Sequence, residues 1–431
     1  MKIKLVVLAS CAAAVLLAQT PAPTRLSLQD AVDLALKNHP QVIAAQNEVQ
    51  VGNQEVVQAR APYYPALSGE LTGSQANTNA RIGAGFLTES RMFNRFGQGV
   101  VFSQLITDSG RTKNLVSSSK LHSQATTQDL QATRYDVVLT VNRAYYDVLR
   151  SQAIVRVAQQ TVAARQLLLD QVTALANNKL KSQLDVSFAD VNVSEAKLLL
   201  LRAQDSVEQS YAELARSMGS EQPIQYQLAD EPLPPSPPVK PEDLIAQAIA
   251  NRPELASLRY SRDSAYKYFE AEKDLSRPTV SLAGVAGFLP LIGGTGGASI
   301  PAEYEGAAVN VSIPVFNGHL FSARREAARY RAQEADQHLR DEQERVVRDV
   351  HVAWASSMTA FQRIDVTAQY LRQAAMGVQL AQGRYNLGLA SIIELTQAQL
   401  NQTQSEIENL NAKYDYQSQF AALQYAIGNL R

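Results

Sequence analysis

The second half of the chain repeats the first, in the same order and nearly the same spacing. Asn38-His39-Pro40 recurs as Asn251-Arg252-Pro253, and Pro65-Ala66-Leu67-Ser68 recurs as Pro278-Thr279-Val280-Ser281, both 213 residues on. The offset then changes once and holds. Leu184-Asp185-Val186 matches Ile393-Glu394-Leu395, and Met218-Gly219 matches Ile427-Gly428, each 209 residues on. Two copies of one long unit predict a pseudo-symmetric architecture. The length difference is expected in the glycine-rich stretches around Gly83-Ala84-Gly85 and Gly293-Gly294-Thr295-Gly296-Gly297, where a surface loop absorbs insertions at small cost.

Each copy reads as helix, hairpin, long helix and second helix. Ser27 with Asp30 three residues later marks a helix start, and Pro40 marks its break. A second run from Gln41 to Ala61 is stopped by Pro62 and Pro65, which cannot continue a helix. After Pro65 the hydrophobic period falls to two: Leu67, Gly69 and Leu71 alternate with Ser68, Glu70 and Thr72. In the later copy Val309, Val311, Ile313 and Val315 alternate with Ala308, Asn310 and Ser312. The pattern suits a strand with lipid on one side and water on the other, and it equally suits a half-buried sheet in a soluble protein. From about Arg111 to Ala176 no proline intervenes, and Val141, Val148, Val155, Val162 and Leu169 fall at sevens, as do Val350, Ser357, Ile364, Leu371, Val378 and Tyr385. Such a repeat predicts a left-handed coiled coil, with a companion seam of small groups at Ala353, Ala360, Thr367, Ala374 and Ala381. A rod of this length runs on the order of 100 Å at ~1.5 Å per residue. Its return helix, about Asp185 to Met218, covers only roughly half of that, so the Gln41 to Ala61 helix is expected to stack end to end on it.

Composition locates the chain. Lys2 and Lys4 precede an apolar run from Leu5 to Ala18, the pattern of a secretory signal peptide over residues 1–18. The run is too short to span a bilayer as a helix, and no later stretch replaces it. The single cysteine, Cys11, lies inside it, where Leu8-Ala9-Ser10-Cys11 resembles a lipoprotein cleavage box, although cutting there would leave Ala12 to Ala18 on the mature chain. A formal charge of −1 carries no basic excess to recruit nucleic acid. The five histidines show no metal-ligand spacing, and no phosphate loop or nucleophile elbow is present, so neither an enzyme nor a cofactor is expected. Seven prolines between Pro223 and Pro241 predict an extended linker running outside the rods. It divides a first repeat (19–222, hairpin about 66–107) from a second (242–431, hairpin about 279–316).

Taken together the motifs carry a resemblance. Leu28 through Asn38-His39-Pro40, Tyr63-Tyr64-Pro65, Leu105-Ile106-Thr107-Asp108-Ser109-Gly110 with its partner Pro314-Val315-Phe316-Asn317-Gly318, and Tyr385-Asn386-Leu387-Gly388-Leu389-Ala390-Ser391 running into Ala398-Gln399 occur in an order that resembles the TolC-like outer membrane efflux proteins. The resemblance implies a mainly α chain with a membrane β-barrel: a homotrimer whose twelve strands, four per chain, cross the outer membrane, and whose helices form a tunnel through the periplasm. It implies a passive export duct joined to a periplasmic adaptor protein and an inner-membrane pump, embedded in outer membrane lipid. It makes the Pro-rich linker part of an equatorial belt, and with the chain ending at Arg431 no C-terminal contribution to that belt is expected. It places the helical turns at a periplasmic constriction. There Glu394 matches an acidic site, Gln397 stands where some members carry a second acid, and Asp185 is the first-repeat equivalent of Glu394. Lys179 and Lys181 depart from the small residues usual at this turn and are candidates to pair with Asp185 or with a neighbour's Glu394. Val309, Val311, Ile313 and Val315 are expected to face lipid. The competing reading is a non-conducting periplasmic coiled-coil adaptor or scaffold, for which compact β domains flanking one helical hairpin would be expected.

Overall fold

The computed structural model describes residues 25–74, 81–82, 90–91, 95–220, 226–288 and 303–430, so the N-terminal apolar run with Cys11 and the two glycine-rich loops lie outside the described residues. In chain order the elements are β1 (Arg25–Leu26), α1 (Leu28–Asn38), α2 (Pro40–Arg60), β2 (Ala66–Ser74), β3 (Arg81–Ile82), β4 (Ser90–Arg91), β5 (Arg95–Thr107), α3 (Arg111–Asn177) and α4 (Gln183–Ser217). The second half follows with β6 (Gln227–Leu228), α5 (Glu242–Asn251), α6 (Pro253–Lys273), β7 (Thr279–Phe288), β8 (Glu303–Ser312), α7 (Leu320–Asn386) and α8 (Ile392–Ala426). The pseudo-symmetry is carried into length: α3 and α7 have 67 residues each, α4 and α8 have 35 each.

Local chemistry sets the helix boundaries. Ser27 and Asp30 form a reciprocal capping box, with Asp30 N donating to Ser27 Oγ (3.2 Å) and Ser27 N to Asp30 Oδ2 (3.2 Å). His39 closes α1 and opens α2: its N–H donates to Ala35 O (2.8 Å), and its Nδ1 accepts from Gln41 N (3.3 Å). Pro40 then takes the first helical position, where its missing N–H costs nothing.

The repeated anchors turn out to touch. Gly219, just beyond α4, has φ +72°, and a Cβ there would lie 2.8 Å from Asn38 O and 2.9 Å from His39 Cα. Gly428, beyond α8, has φ +70° and would carry its Cβ 3.0 Å from Asn251 C. Thus α4 abuts α2 end to end, α8 abuts α6, and each pair runs along a long helix as one two-piece rod. α3 packs against α2 and α4 and also against α6 and α8, which in turn pack on α7.

The seven-residue repeat marks the seam only in part. In α3, Val141 and Val148 are buried, but Val155, Val162 and Leu169 are half-buried. Below them burial moves to the positions three residues on, Ser151, Ala158, Arg165 and Val172, because α3 has partners on two flanks rather than one. In α7 both series contribute, with Val350, Ser357 and Tyr385 buried alongside Ala360 and Ala381.

The main sheet has four strands in the order β2-β5-β7-β8, all antiparallel, so among the described residues both outer strands are free edges. The register aligns Leu67 with Phe102, Phe102 with Gly284 and Gly284 with Ala307 on one face, which also holds Leu282 opposite Val309 and Val280 opposite Val311. The other face carries Ser68, Glu70, Ser103, Ser281 and Asn310. Two of the four expected lipid-facing valine and isoleucine positions fall outside the strand. It ends at Ser312, opposite Thr279. Ile313 would face Pro278, which has no N–H to donate, and Pro314 follows, so the ladder stops and Val315 sits in the connection to α7. No described helix is long and apolar enough to cross a membrane.

The described part of the Pro-rich linker is a strap. β6 pairs in parallel with β1. Beyond it, carbonyls that the prolines leave without backbone partners accept from helix side chains: Tyr145 Oη reaches Ala229 O (2.7 Å), Gln417 Nε2 reaches Glu231 O (2.9 Å), Trp354 Nε1 reaches Pro238 O (2.8 Å), and Tyr416 Oη donates to Pro235 O. A plain tether would make none of these bonds.

Candidate functional site

The two turns at the far end of the rods are built alike. After α3, Lys179 adopts φ +62° and Leu180 N donates to Leu175 O (2.9 Å); after α7, Gly388 adopts φ +75° and Leu389 N donates to Arg384 O (2.8 Å). Lys179 therefore stands where the second repeat has glycine, in a left-handed conformation that costs a side-chain-bearing residue roughly 1–2 kcal/mol. Ser182 and Ser391 then cap the return helices, accepting from Asp185 N (3.1 Å) and Glu394 N (3.3 Å).

The equivalent acids Asp185 and Glu394 diverge at this point. Asp185 Oδ2 accepts from Ser182 N (3.0 Å) and Ser182 Oγ (2.9 Å), completing a capping box. Glu394 turns across the bend instead, where Arg384 Nε lies 3.0 Å from its Oε1. Among the described residues neither acid is paired with Lys179 or Lys181. Lys181 places its Nζ 4.1 Å above the centre of the Tyr385 ring, joining the first-repeat turn to α7 through a cation–π contact. Tyr385 is buried, its hydroxyl has no hydrogen-bond partner, and burial and then the charge of Asp185 raise its pKa above the ordinary phenol value. Gln397 bonds along its own helix to Asn401 Oδ1 (3.1 Å). Beneath the turns Leu168, Val172, Ala189, Ile392 and Leu395 form a small apolar core that holds the two bends together.

Arg384 is the residue that sequence reasoning passed over. A cation in the last turn of α7 and an acid in the first turn of α8 each suit their own helix dipole, and the short turn between them brings the two within reach. That signal was available in the spacing. Above the turns, the contact between the two helical hairpins is polar: Arg165 Nη1 donates to Gln399 Oε1 (2.7 Å) and Asn192 Nδ2 to Thr396 Oγ1 (3.3 Å). Arg165 is buried, which lowers its pKa from the usual guanidinium value, and the nearby charge of Glu195 works in the opposite sense. Among the described residues no group of three histidine, cysteine or acidic side chains is placed to hold a metal ion.

A family model described as outer membrane efflux protein matches residues 31–220 and 244–429, that is, both repeats. The chain belongs to the outer membrane efflux protein family. Its relatives include the outer membrane efflux protein BepC of Brucella suis, 22% identical over 97% of this chain and 90% of that protein. Another is the alkaline protease secretion protein AprF of Pseudomonas aeruginosa, 26% identical over 94% of this chain and 85% of that protein. Solved structures share the fold. The outer-membrane channel OprN superposes with a TM-score of 0.78 at 18% identity, covering 93% of this chain and 90% of its own. The outer membrane protein VceC of Vibrio cholerae gives 0.76 at 18% identity, covering 93% and 96%. As an outer membrane efflux protein, the chain is a channel component of the outer membrane with a helical extension into the periplasm, and the scaffold reading falls away.

Proposed function

We propose that three copies of this outer membrane efflux protein close a twelve-stranded barrel, and that the joined helices form a passive duct fed by an inner-membrane pump through a periplasmic adaptor. One observation carries this reading. The chain builds a four-stranded antiparallel sheet with one apolar face and two unpaired edges, and hydrocarbon does not tolerate unpaired backbone groups. Four strands are too few to close on themselves, so other copies must supply the remainder. The family resemblance supports three as their number. On this reading Val309 and Val311 face lipid and Asn310 and Ser312 face the lumen.

The helical turns then meet around the axis as a constriction, with Glu394 and Asp185 each present three times. Within one chain the Glu394–Arg384 pair is half exposed and is worth only ~0–1 kcal/mol. Threefold repetition around a narrow opening focuses the field of such groups on ions in transit. Lys179, which has no acidic partner among the described residues, is placed to reach a neighbour's Glu394, while Gln397 leaves the acidic ring thinner. The assembly is tested by measuring the mass of the purified mature protein in detergent. A trimer is expected, and a monodisperse monomer would contradict it.

A further inference from the structure

Glu272, in the last turn of α6, is 2% exposed. Its carboxylate accepts two hydrogen bonds from Arg324, Nε to Oε2 at 2.6 Å and Nη2 to Oε1 at 2.9 Å, and Arg111 Nη2 lies 3.6 Å from Oε1. Two of these charges sit at the wrong end of their own helices: the carboxylate in the last turn of α6 and the Arg111 guanidinium at the first position of α3 each oppose the helix dipole, while Arg324 lies one turn into α7. They make sense only as a set. The clasp continues toward the strands: buried Asp274 accepts from Arg277 (2.9 Å) and Asn114 Nδ2 (2.8 Å), and Ser109 Oγ donates to Pro278 O (2.7 Å).

The pseudo-symmetry shows that the clasp belongs to one junction and not to the ancestral unit. At the repeat offsets Ala59 replaces Glu272, Leu320 replaces Arg111 and Leu115 replaces Arg324. α6 differs from α2 in lying between both long helices. A buried ion pair is often no more stabilising than an apolar replacement, so stability alone does not explain its presence. Register does. Strands β2 and β5, and β7 and β8, are consecutive in the main sheet and form hairpins, whereas β5 and β7 pair across everything from Thr107 to Thr279 with no turn to set them.

We propose that Glu272 is a positioning residue for barrel assembly: by locking the opening turns of α3 and α7 onto α6, it sets β5 against β7 before copies of the chain meet. This rests on the reading that other copies complete the barrel. The test uses the full mature chain carrying one of two cysteine pairs, Ser103→Cys with Ala283→Cys across β5 and β7, or Ser281→Cys with Asn310→Cys across β7 and β8. Oxidative cross-linking is measured together with the trimer fraction. In Glu272→Gln and in Arg324→Gln, the β5–β7 cross-link and the trimer fraction should fall several-fold while the β7–β8 cross-link is unchanged. The double variant should lose little more than either single one, as expected of partners in one network. A wild-type β5–β7 cross-link in Glu272→Gln, or equal loss of both cross-links, would overturn the proposal. A wild-type chain that cross-links β5 to β7 and yet never forms trimer would count against the trimeric reading instead.

Discussion

Replacing Gly219 by alanine should be among the most damaging single-methyl changes in the helices, and the structure gives the reason in two parts. The residue sits at φ +72°, where a side chain costs roughly 1–2 kcal/mol. The added Cβ would also stand 2.8–2.9 Å from Asn38 O and His39 Cα, backbone atoms of the α1–α2 joint that cannot rotate away. Overpacking of this kind adds typically 1–3 kcal/mol. Gly388→Ala isolates the first part, since φ is +75° there but nothing lies within 4 Å of the new atom. Gly219→Ala should therefore destabilise by about 2–5 kcal/mol and Gly388→Ala by about 1–2. Denaturant unfolding followed by helical circular dichroism in detergent would separate them. Equal losses in the two variants would mean that α4 does not abut α2 at this joint.

Lys179→Gly should stabilise the first-repeat turn by about 1 kcal/mol in the same assay, because it removes the left-handed penalty; a loss of stability would show that the lysine side chain is needed for packing. Burial, and then the positive charge of Arg216, hold the pKa of His39 below its ordinary value of 6.5. The unfolded chain therefore takes up the proton first as pH falls, so His39 contributes no penalty above about pH 6.5 and erodes stability progressively below it. His39→Asn, which replaces the capping Nδ1 with an amide oxygen, should flatten that loss; an unchanged pH profile would assign the acid sensitivity elsewhere. In β8, Val311→Arg should cost ~2–4 kcal/mol at the bilayer midplane and reduce assembled trimer, with Asn310→Arg milder. Equal effects on trimer yield would reverse the proposed faces of the sheet.

Much of the fold can be read from residue spacing because its determinants are local. Prolines and capping serines delimit the helices, so a long rod expected from Arg111 to about Ala176 is observed from Arg111 to Asn177. Alternation of period two anticipates the apolar and polar faces of the strands, and it overruns only where Pro278 and Pro314 end the ladder. What stayed hidden depends on groups far apart in the chain. The β5–β7 pairing has no local signal, and Glu272 and Arg111 look misplaced until three helices are brought together. The linker's prolines announce an extended segment, but not that Tyr145, Tyr416 and Trp354 would supply its missing donors. At the tip, the acids Asp185 and Glu394 are visible by repeat, whereas their different partners, Ser182 and Arg384, follow from how each side chain leaves its turn.

Single-channel recording in planar bilayers tests most directly whether the chain forms a conducting duct with its constriction at the helical turns. The purified protein should insert as discrete conductance steps, and Glu394→Ala should raise the conductance or shift the selectivity toward anions. That difference should shrink in molar salt, where charges are screened within ~3 Å instead of the ~8–10 Å of moderate ionic strength. Failure of well-folded trimer to conduct would contradict a duct, and wild-type conductance and selectivity in both Glu394→Ala and Asp185→Ala would move the constriction away from these turns.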